Sequence, residues 1–473
     1  MNVEDYLQFD AIGLAALVAR REVSAAEVLD AALERMARIN AKVNAVILDL
    51  SAEARIQTTQ GLSGPLAGVP YLIKEHGAMV AGTPTMLGSA VFKDNVQPED
   101  SALVRALREA GVVIFGKTNV PELSNDAVTE SALYGPCRNP WDLERTTGGS
   151  SGGAAAAVCA GIVPAAHGTD GGGSIRIPAA CTGLFGLKPS RGRVSNAPVN
   201  EFGGGFGAQH AITRSVRDSA LLLDIVSHPQ PGDPYCLPPP ERTFLSEVGR
   251  PPGALRIGFS SCATDGSRID DECAAAVLDV VRLCESLGHN VAEARLPVSF
   301  AEAVAAGKLI NAANIAALLD SEAQRRGRAI DEREIDATTL FAYERGKRLT
   351  APEYIRALRV CSDFTRRACA FFESYDLFLD STLGSPAVRI GELRGALTDI
   401  PAYAERLARF MPNTKVANVT GRPAMSVPLA WSSAGLPIGI QFMGNVGDEA
   451  TLLRLAAQLE QARPWAQRRP ADT

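Results

Sequence analysis

The sequence has few of the residues on which several classes of function depend. Aromatic residues make up only 6% of its 473 residues, too few to suggest a stacking platform for nucleic-acid bases. The net charge is −6, which indicates no basic surface for nucleic acid or an anionic membrane. No stretch of 18 uninterrupted apolar residues occurs, which argues against a membrane span. Arg20 and Arg21 follow the apolar part of the N-terminus, which is the wrong order for a secretory signal.

Metal-ligand spacings and cofactor motifs are also missing. The nine cysteines are scattered, with no C-x-x-C pair and no cysteine–histidine cluster of zinc spacing. The phosphate-loop motif G-x-x-x-x-G-K-[ST] is absent, as is a dinucleotide-binding G-x-G-x-x-G after a strand. We therefore expect reduced thiols, a cytoplasmic location, no metal and no cofactor.

Helix-like and strand-like patterns alternate along most of the chain, which is typical of an α/β fold with a mostly parallel sheet. Residues 300–372 are helical in pattern and rich in arginine and glutamate, and we interpret them as an inserted cap. One domain over 1–473, with its core at 60–225, is therefore expected. The predicted strands are 68–75, 112–118, 163–170, 254–261, 375–382, 424–431 and 437–444. The predicted helices outside the cap are two within 10–56 and one each at 101–111, 154–161 and 448–462.

The most informative stretch runs from Thr146 to Cys181, TTGGSSGGAAAAVCAGIVPAAHGTDGGGSIRIPAAC. Ser150 and Ser151 lie between glycine pairs, and Ser174 follows three glycines. Glycines at such positions let the backbone approach a small group closely. Two interpretations remain open on the residues alone: tight turns before a closely packed alanine helix, or loops that carry a nucleophilic serine.

A serine nucleophile of the α/β-hydrolase type is not supported. The letters GGSSG at 148–152 match the G-x-S-x-G nucleophile elbow with Ser150 at the centre. That arrangement needs a histidine further along the chain, yet none of the five histidines follows His289. The segment before Ser150 is also loop-like rather than a strand. We therefore discount a Ser–His–Asp triad.

A neutral lysine can activate a serine instead, and Lys74 is the best candidate. It ends the apolar strand VPYLIK, where burial would lower its pKa from about 10.4 by up to ~3–5 units. Glu75 would oppose this if it were adjacent, but successive strand side chains point to opposite faces. The alternative is a lysine that extends from the strand end into solvent.

Several blocks of sequence carry a resemblance to one family. The stretch GGSSGGAAAAVCAGIVPAAHGTDGGGSIRIP resembles the signature of the amidase signature family along its whole length. Further family-like blocks are GVPYLIKE, AGVVIFGKTNVPEL, NPWDLERTTGGSSGG, GLKPSRGRVS, NVTGRPAMSVPL and GLPIGIQFMG. The resemblance covers roughly residues 10–465 and is nearest to the subgroup with cyclic nylon-oligomer hydrolases, aryl acylamidases and urethanases. It implies the amidase signature fold, with a mixed, mostly parallel sheet covered by helices and a helical cap.

The resemblance also implies a Ser–cis-Ser–Lys triad. Matched residue by residue, Ser174 is the nucleophile, Ser150 the cis-serine that relays protons, and Lys74 the base. Glycine at 149 reduces crowding at the cis bond. The resemblance further implies a supporting pair, Asp170 and Arg176, and an oxyanion hole formed by the backbone N–H groups of Gly171, Gly172, Gly173 and Ser174.

The sequence departs from the family pattern after the lysine. The family usually has aspartate there, whereas this chain has Glu75 followed by His76. In relatives this segment lines the site, so the difference bears on substrate choice rather than on the chemistry.

The resemblance places the substrate pocket between the cap and the segments 124–134 and 382–415. The residues expected to line it include Asn125, Tyr134, Thr382 and Met411. Such a mixture suits an uncharged acyl group with an apolar or aromatic part, and not a dicarboxylate, which would require a buried arginine clamp.

We therefore predict an amidohydrolase that cleaves neutral aryl or alkyl amides, with carbamates or nylon oligomers as further substrates. It is expected to act as a monomer or homodimer, with no nucleic-acid or membrane partner. Two alternatives remain open. One is the A subunit of a glutamine-dependent tRNA amidotransferase, and the other is a non-catalytic binding protein on an amidase scaffold.

Overall fold

Strands from nearly the whole length of the chain join in one large sheet in the computed structural model, which describes residues 1–199, 201, 203–298, 300–397 and 399–471. The strands in these residues are β1 (Val46–Asp49), β2 (Pro70–Lys74), β3 (Val113–Thr118), β4 (Glu130–Ser131), β5 (Gly135–Pro136), β6 (Arg138–Asn139), β7 (Asp142–Thr146), β8 (Ala165–Asp170), β9 (Phe185–Lys188), β10 (Ala208–Thr213), β11 (Arg256–Phe259), β12 (Asn290–Glu293), β13 (Leu377–Ser381), β14 (Ala424–Trp431) and β15 (Pro437–Met443). The helices are α1 (Val3–Tyr6), α2 (Ala11–Ala19), α3 (Ala25–Val43), α4 (Ser51–Thr59), α5 (Ala102–Glu109), α6 (Gly152–Cys159), α7 (Arg176–Thr182), α8 (Val216–Val226), α9 (Phe244–Glu247), α10 (Asp271–Ser286), α11 (Phe300–Arg326), α12 (Ala337–Lys347), α13 (Ala351–Ser374), α14 (Ile400–Phe410), α15 (Lys415–Thr420) and α16 (Glu449–Ala462).

The large sheet is mixed, but it is less parallel than predicted. Its order is β1-β3-β2-β8-β10-β9-β14-β15-β13-β11-β12. Parallel pairing joins β3, β2 and β8 near one edge and β13, β11 and β12 at the other. The pairs between these two groups are antiparallel, as is β1 with β3. One reason is that only a short connection joins β14 to β15, and so short a connection permits only an antiparallel pair.

Most of the predicted elements are confirmed, with boundaries shifted by a few residues. The predicted strands correspond to β2, β3, β8, β11, β13, β14 and β15, and the predicted helices to α2, α3, α5, α6 and α16. Four strands of the large sheet were not predicted, namely β1, β9, β10 and β12. Three of them, β1, β9 and β12, have only four residues each. Strands β9 and β10 supply antiparallel pairings in the centre of the sheet.

The predicted cap at 300–372 is helical, as expected, and consists mainly of α11, α12 and α13. In the part of the chain that the structure describes, α11 is the one helix long and apolar enough to cross a membrane by length and composition alone. Its fully buried residues Ile310 and Leu319 lie in two separate apolar clusters inside the protein. Helix α11 therefore packs as a core helix of the cap.

The site is built where two parallel strands end. Strands β2 and β8 are neighbours and point the same way, so Lys74 and Asp170, their last residues, lie at the same edge of the sheet. Helix α6 packs against both strands. Its small residues are needed there, because a Cβ at Gly153 would lie only 2.3 Å from the backbone nitrogen of Asn119. The glycine at 153 thus lets the start of α6 approach the end of β3, the neighbour of β2 in the sheet.

Candidate active site

Lys74 lies entirely inside the protein, with 0% of its surface exposed. Its Nζ is 2.7 Å from Ser150 Oγ and 2.7 Å from Thr169 Oγ1. The alternative of a lysine that extends into solvent is therefore wrong. The side chains of Lys74 and Glu75 point in different directions, as predicted for successive residues at a strand end. Glu75 contacts Met86 and Tyr134 rather than the residues around Lys74.

Burial lowers the pKa of Lys74 well below its usual value, and the negative charge of Asp170 opposes this only in part. The histidines beside it carry little charge at neutral pH. Burial and the proximity of Lys74 lower the pKa of both His76 and His167 to about 3. These shifts favour a neutral amine on Lys74, and a neutral amine has a lone pair that can accept a proton.

The first glycine–serine cluster holds Ser150 against this amine. The peptide bond between Gly149 and Ser150 is cis, which confirms the conformation implied by the resemblance. Glycine is required at 149, because a Cβ there would lie 2.8 Å from the backbone of Val128. The next residue, Ser151, ties the loop to β8, since its hydroxyl donates to Thr169 O at 3.2 Å.

Ser174 lies in the second cluster, between β8 and α7. It is half-buried and lines the same cavity as Ser150 and Thr169. A backbone hydrogen bond of 3.3 Å from Ser151 N to Ser174 O joins the two clusters. The two serine loops, far apart in sequence, therefore meet at one wall of one cavity.

The glycines before Ser174 differ in role. Gly171 and Gly172 line the cavity with Ser174, but the N–H of Gly173 donates to Asp170 Oδ1 at 2.7 Å. Gly173 has a φ of +129°, and a Cβ there would lie 2.5 Å from Thr414 Oγ1. The prediction that all four N–H groups form an oxyanion hole is therefore wrong for Gly173, because the Asp170 carboxylate already accepts its hydrogen bond.

Asp170 and Arg176 form a fully buried ion pair with a nitrogen–oxygen distance of 2.9 Å. Burial alone would raise the pKa of the Asp170 carboxyl, but the charge and hydrogen bonds of Arg176 hold it well below its usual range. Arg176 also donates to Thr414 O, Gln441 Oε1 and Asn418 Oδ1. The pair therefore binds the Ser174 loop to α15 and β15, in accord with the supporting role expected for it.

Replacing Arg176 with methionine should destabilise the protein strongly. The change would leave the Asp170 carboxylate buried without its cation, and breaking a buried pair in this way costs ~3–5 kcal/mol. Urea denaturation of Arg176→Met and of a control, Arg268→Met, tests this. Arg268 pairs with Asp271, but both side chains are more than four-fifths exposed, so the control should unfold at nearly the wild-type midpoint. Equal midpoints for the two variants would contradict a structural role for the buried pair.

The cavity beside Ser174 has a volume of about 470 Å³. Of the predicted pocket residues, Asn125 and Met411 line it, whereas Tyr134 and Thr382 do not. The Tyr134 hydroxyl donates to Glu75 Oε1 at 2.8 Å, and the Thr382 hydroxyl lies 2.9 Å from that of Ser426 in the interior. Both predictions are wrong because these hydroxyls are used for internal hydrogen bonds.

All three regions predicted to border the pocket contribute to it. The cap supplies residues of α11, including Asn311, whose Nδ2 donates to Asn125 Oδ1 at 2.8 Å. The segments 124–134 and 382–415 supply Ala127 and Leu407 among others. The cavity is therefore enclosed partly by the cap.

Glu75 and His76 have separate roles. Glu75 is buried and accepts hydrogen bonds from the backbone N–H groups of Met86 and Gly88 as well as from Tyr134. His76 lines the cavity. Of the two departures from the family pattern, His76 is therefore the one that a substrate can contact.

Three charged residues of the cavity were not predicted from the sequence. Asp126, Glu201 and Lys415 all line it. Burial raises the pKa of Asp126 to about 6, although its carboxylate accepts the N–H of Ala127 at 2.7 Å. No short sequence motif marks these residues, and only the folded chain brings them together. In the described residues, no group of three histidine, cysteine or acidic side chains could hold a metal ion.

Comparison with known proteins agrees with this geometry. The family model described as Amidase matches residues 27–453. The chain is 37% identical to the 6-aminohexanoate-cyclic-dimer hydrolase of Paenarthrobacter ureafaciens, over 98% of this chain and 96% of that protein.

Solved structures show the same likeness over nearly full length. The structure of a 6-aminohexanoate cyclic dimer hydrolase complexed with substrate superposes with a TM-score of 0.92 at 35% identity, covering 98% of this chain and 99% of the other. The crystal structure of a bacterial aryl acylamidase of the amidase signature enzymes gives 0.88 at 26% identity and covers 97% of each chain. The predicted fold is thereby confirmed.

Proposed function

The chain belongs to the amidase signature family and is an amidase, and from that premise we propose that it hydrolyses uncharged amide bonds through an acyl-enzyme on Ser174. Ser150 is the proton relay and Lys74 the base. The observation that carries this proposal is the 2.7 Å contact between Lys74 Nζ and Ser150 Oγ, buried at the wall of the cavity that Ser174 also lines.

The acylation step follows from these positions. Neutral Lys74 accepts the Ser150 proton as Ser150 accepts the Ser174 proton, and Ser174 Oγ bonds to the carbonyl carbon. The N–H groups of Gly171, Gly172 and Ser174 stabilise the oxyanion, since these residues line the cavity. When the C–N bond breaks, Ser150 donates a proton to the leaving nitrogen and regains one from Lys74.

Deacylation uses the same relay. A water molecule gives a proton to Ser150 as it attacks the ester carbonyl, and Ser174 regains its proton when the acid leaves. A histidine base is not favoured at this site. His76 lines the cavity, but its pKa of about 3 makes it a weak base at neutral pH.

The walls near Ser174 support a substrate that is apolar at the reacting bond. Ala127, Ile177, Leu407 and Met411 line the cavity. Met411 Cε lies 3.9 Å from where a Cβ on Gly172 would be, and Ile177 Cδ1 lies 2.7 Å from where a Cβ on Gly173 would be. Aryl and alkyl amides fit this environment. Aryl carbamates present the same carbonyl geometry to Ser174 and are proposed as further substrates. The similar proteins that act on 6-aminohexanoate cyclic dimer and on aryl acylamides also support an amide of this kind.

A substrate panel tests the proposed class. The values of kcat/KM should be at least tenfold higher for an acyl 4-nitroanilide than for glutamine or malonamate, with measurable turnover of an aryl carbamate. Both small amides would place a charge within a few bonds of the reacting carbonyl, where the walls are apolar. Preference for glutamine or malonamate by tenfold or more would show that the apolar wall does not select the substrate.

The amidotransferase alternative makes a different prediction. Such an A subunit would co-purify with stable partner subunits and use glutamine as its amide donor. Purification without a partner and high activity on the anilide would favour the stand-alone hydrolase, either as a monomer or as a homodimer.

A further inference from the structure

One cation in the cavity has no hydrogen-bond or ion-pair partner among the described residues. Lys415 begins α15 and directly follows Thr414, whose hydroxyl donates to Gly172 O at 2.6 Å. Lys415 lines the cavity with Gly172 and Ser174. Among the described residues, its Nζ has no hydrogen-bond acceptor and no carboxylate within 4.0 Å. The backbone of Lys415 is thus fixed next to the Ser174 loop, while its side chain extends toward Gly307 of α11.

The other enclosed lysines of this chain are all satisfied by the protein. Lys74 contacts Ser150 and Thr169, and Lys117 donates to Pro84 O at 2.6 Å. Lys188 donates to Pro189 O at 2.7 Å. Buried polar groups are generally paired in this way because an unpaired one is costly. Lys415 differs from these three because it is only half-buried and lines the cavity, where a bound ligand could supply an acceptor for its Nζ.

The surroundings of Lys415 hold its side chain at the cavity wall. It passes beside Gly307 of α11, where a Cβ would lie 3.5 Å from Lys415 Cε and 3.7 Å from Nζ. The Phe206 ring lies on the same stretch of wall, 3.8 Å from that position. Burial and the charge of Lys308 lower the pKa of Lys415 to about 8, so the amine is mostly protonated at neutral pH. Glu201 also lines the cavity, but it makes no ion pair with Lys415.

We propose that Lys415 binds a carboxylate of the substrate, so that the preferred substrates are amides with one carboxylate remote from the reacting bond. The proposal rests on the proposed function and refines it. The walls beside Ser174 take the apolar part of the molecule, and the unpaired ammonium at the cap side takes its charged end. A charge-assisted hydrogen bond of this kind favours the acid over its ester by roughly tenfold or more.

Two pairs of substrates test this proposal. One pair carries the carboxylate on the acyl side of the amide and the other on the amine side. One pair is adipic acid mono-4-nitroanilide and its methyl ester, with the carboxylate on the acyl side. The other is 4-hexanamidobenzoate and its methyl ester, with the carboxylate on the leaving amine. In at least one pair, the ratio of kcat/KM for acid over ester should fall at least tenfold in Lys415→Met, mainly through KM. Methionine keeps the length of the side chain and removes its charge.

Lys308→Met is the matched control. Lys308 is a neighbouring lysine on α11, but it is exposed and does not line the cavity, so its removal should leave the ratios within about twofold of wild type. Ratios in Lys415→Met within twofold of wild type for both pairs, with the esters still hydrolysed, would overturn the proposal.

A binding measurement separates this proposal from the proposed function. In Ser174→Ala, the dissociation constant of the adipic acid anilide should rise at least tenfold when Lys415→Met is added. Unchanged binding in the double variant would overturn the carboxylate site. Absence of hydrolysis in the wild type, with the binding difference present, would instead count against the amidase mechanism.

Discussion

Replacement of Ser174 with alanine should abolish amide hydrolysis while leaving the protein folded. Without the hydroxyl no acyl-enzyme can form, and loss of a serine nucleophile typically lowers kcat by several orders of magnitude. The Ser174 side chain is half-buried and makes no hydrogen bond to the described residues, so its truncation should hardly change stability. The comparison is kcat/KM on a chromogenic anilide, with the thermal unfolding midpoint as control.

The result shows whether Ser174 or another group is the nucleophile. Activity above about 1% of wild type in a folded Ser174→Ala protein would mean that another group attacks the substrate. Such a result would point to Ser150, which is the centre of the G-x-S-x-G match and is 1% exposed.

Replacing Lys74 with methionine should be nearly as damaging as losing Ser174. The relay would lose its proton acceptor, because no other base contacts Ser150 in the described residues. In the wild-type enzyme, a proton on Lys74 occupies the lone pair that the mechanism needs. Activity should therefore fall as pH drops through the depressed pKa of Lys74 and rise toward alkaline pH. A rate that stays flat from weakly acidic to alkaline pH, with chemistry limiting, would contradict a lysine base.

Lys74 should also make the stability of the folded protein depend on pH. Because the folded pKa of Lys74 is below its unfolded value, the unfolded chain binds this proton more tightly than the folded chain does. Lys74 therefore lowers stability at neutral pH, and this cost disappears as pH rises toward the unfolded pKa. The stability of wild type relative to Lys74→Met should increase between pH 7 and pH 10. This readout needs no activity and reports directly on the protonation of the buried amine.

The elements around the proposed triad could be predicted because local sequence determines them. The apolar run before Lys74 predicts a buried strand, and burial of its last residue follows from that. The two glycine clusters mark loops of close approach, and the resemblance supplies the roles of Ser150 and Ser174. In the structure, Gly149 and Gly153 are indeed positions where a Cβ would collide with backbone.

The errors concern contacts between distant parts of the chain. Nothing near Tyr134 in the sequence shows that its hydroxyl donates to Glu75, and nothing near Thr382 shows that it meets Ser426. The N–H of Gly173 is not available for the proposed oxyanion hole because it donates to Asp170 Oδ1, and this contact depends on the turn between β8 and α7. A role for Lys415 could not be predicted, because a lone lysine at the start of a short helix forms no sequence motif.

The two serine loops also explain how a lysine can act without a histidine. The loop before α6 holds Ser150 against Lys74, and the loop after β8 presents Ser174 to the cavity, with the Asp170–Arg176 pair fixing the second loop. Burial of Lys74 depends on the sheet, which encloses β2 between β3 and β8. The same packing that forms the fold therefore lowers the pKa of the proposed base.

Identification of the residue modified by a fluorophosphonate tests the central claim most directly. Such reagents phosphonylate activated serines, and peptide mass spectrometry of the inactivated protein locates the adduct. The mechanism predicts one adduct, on Ser174, which is absent in Ser174→Ala and forms much more slowly in Lys74→Met. An adduct on Ser150 or Ser151, or complete inactivation with Ser174 unmodified, would contradict the assignment of Ser174 as the nucleophile.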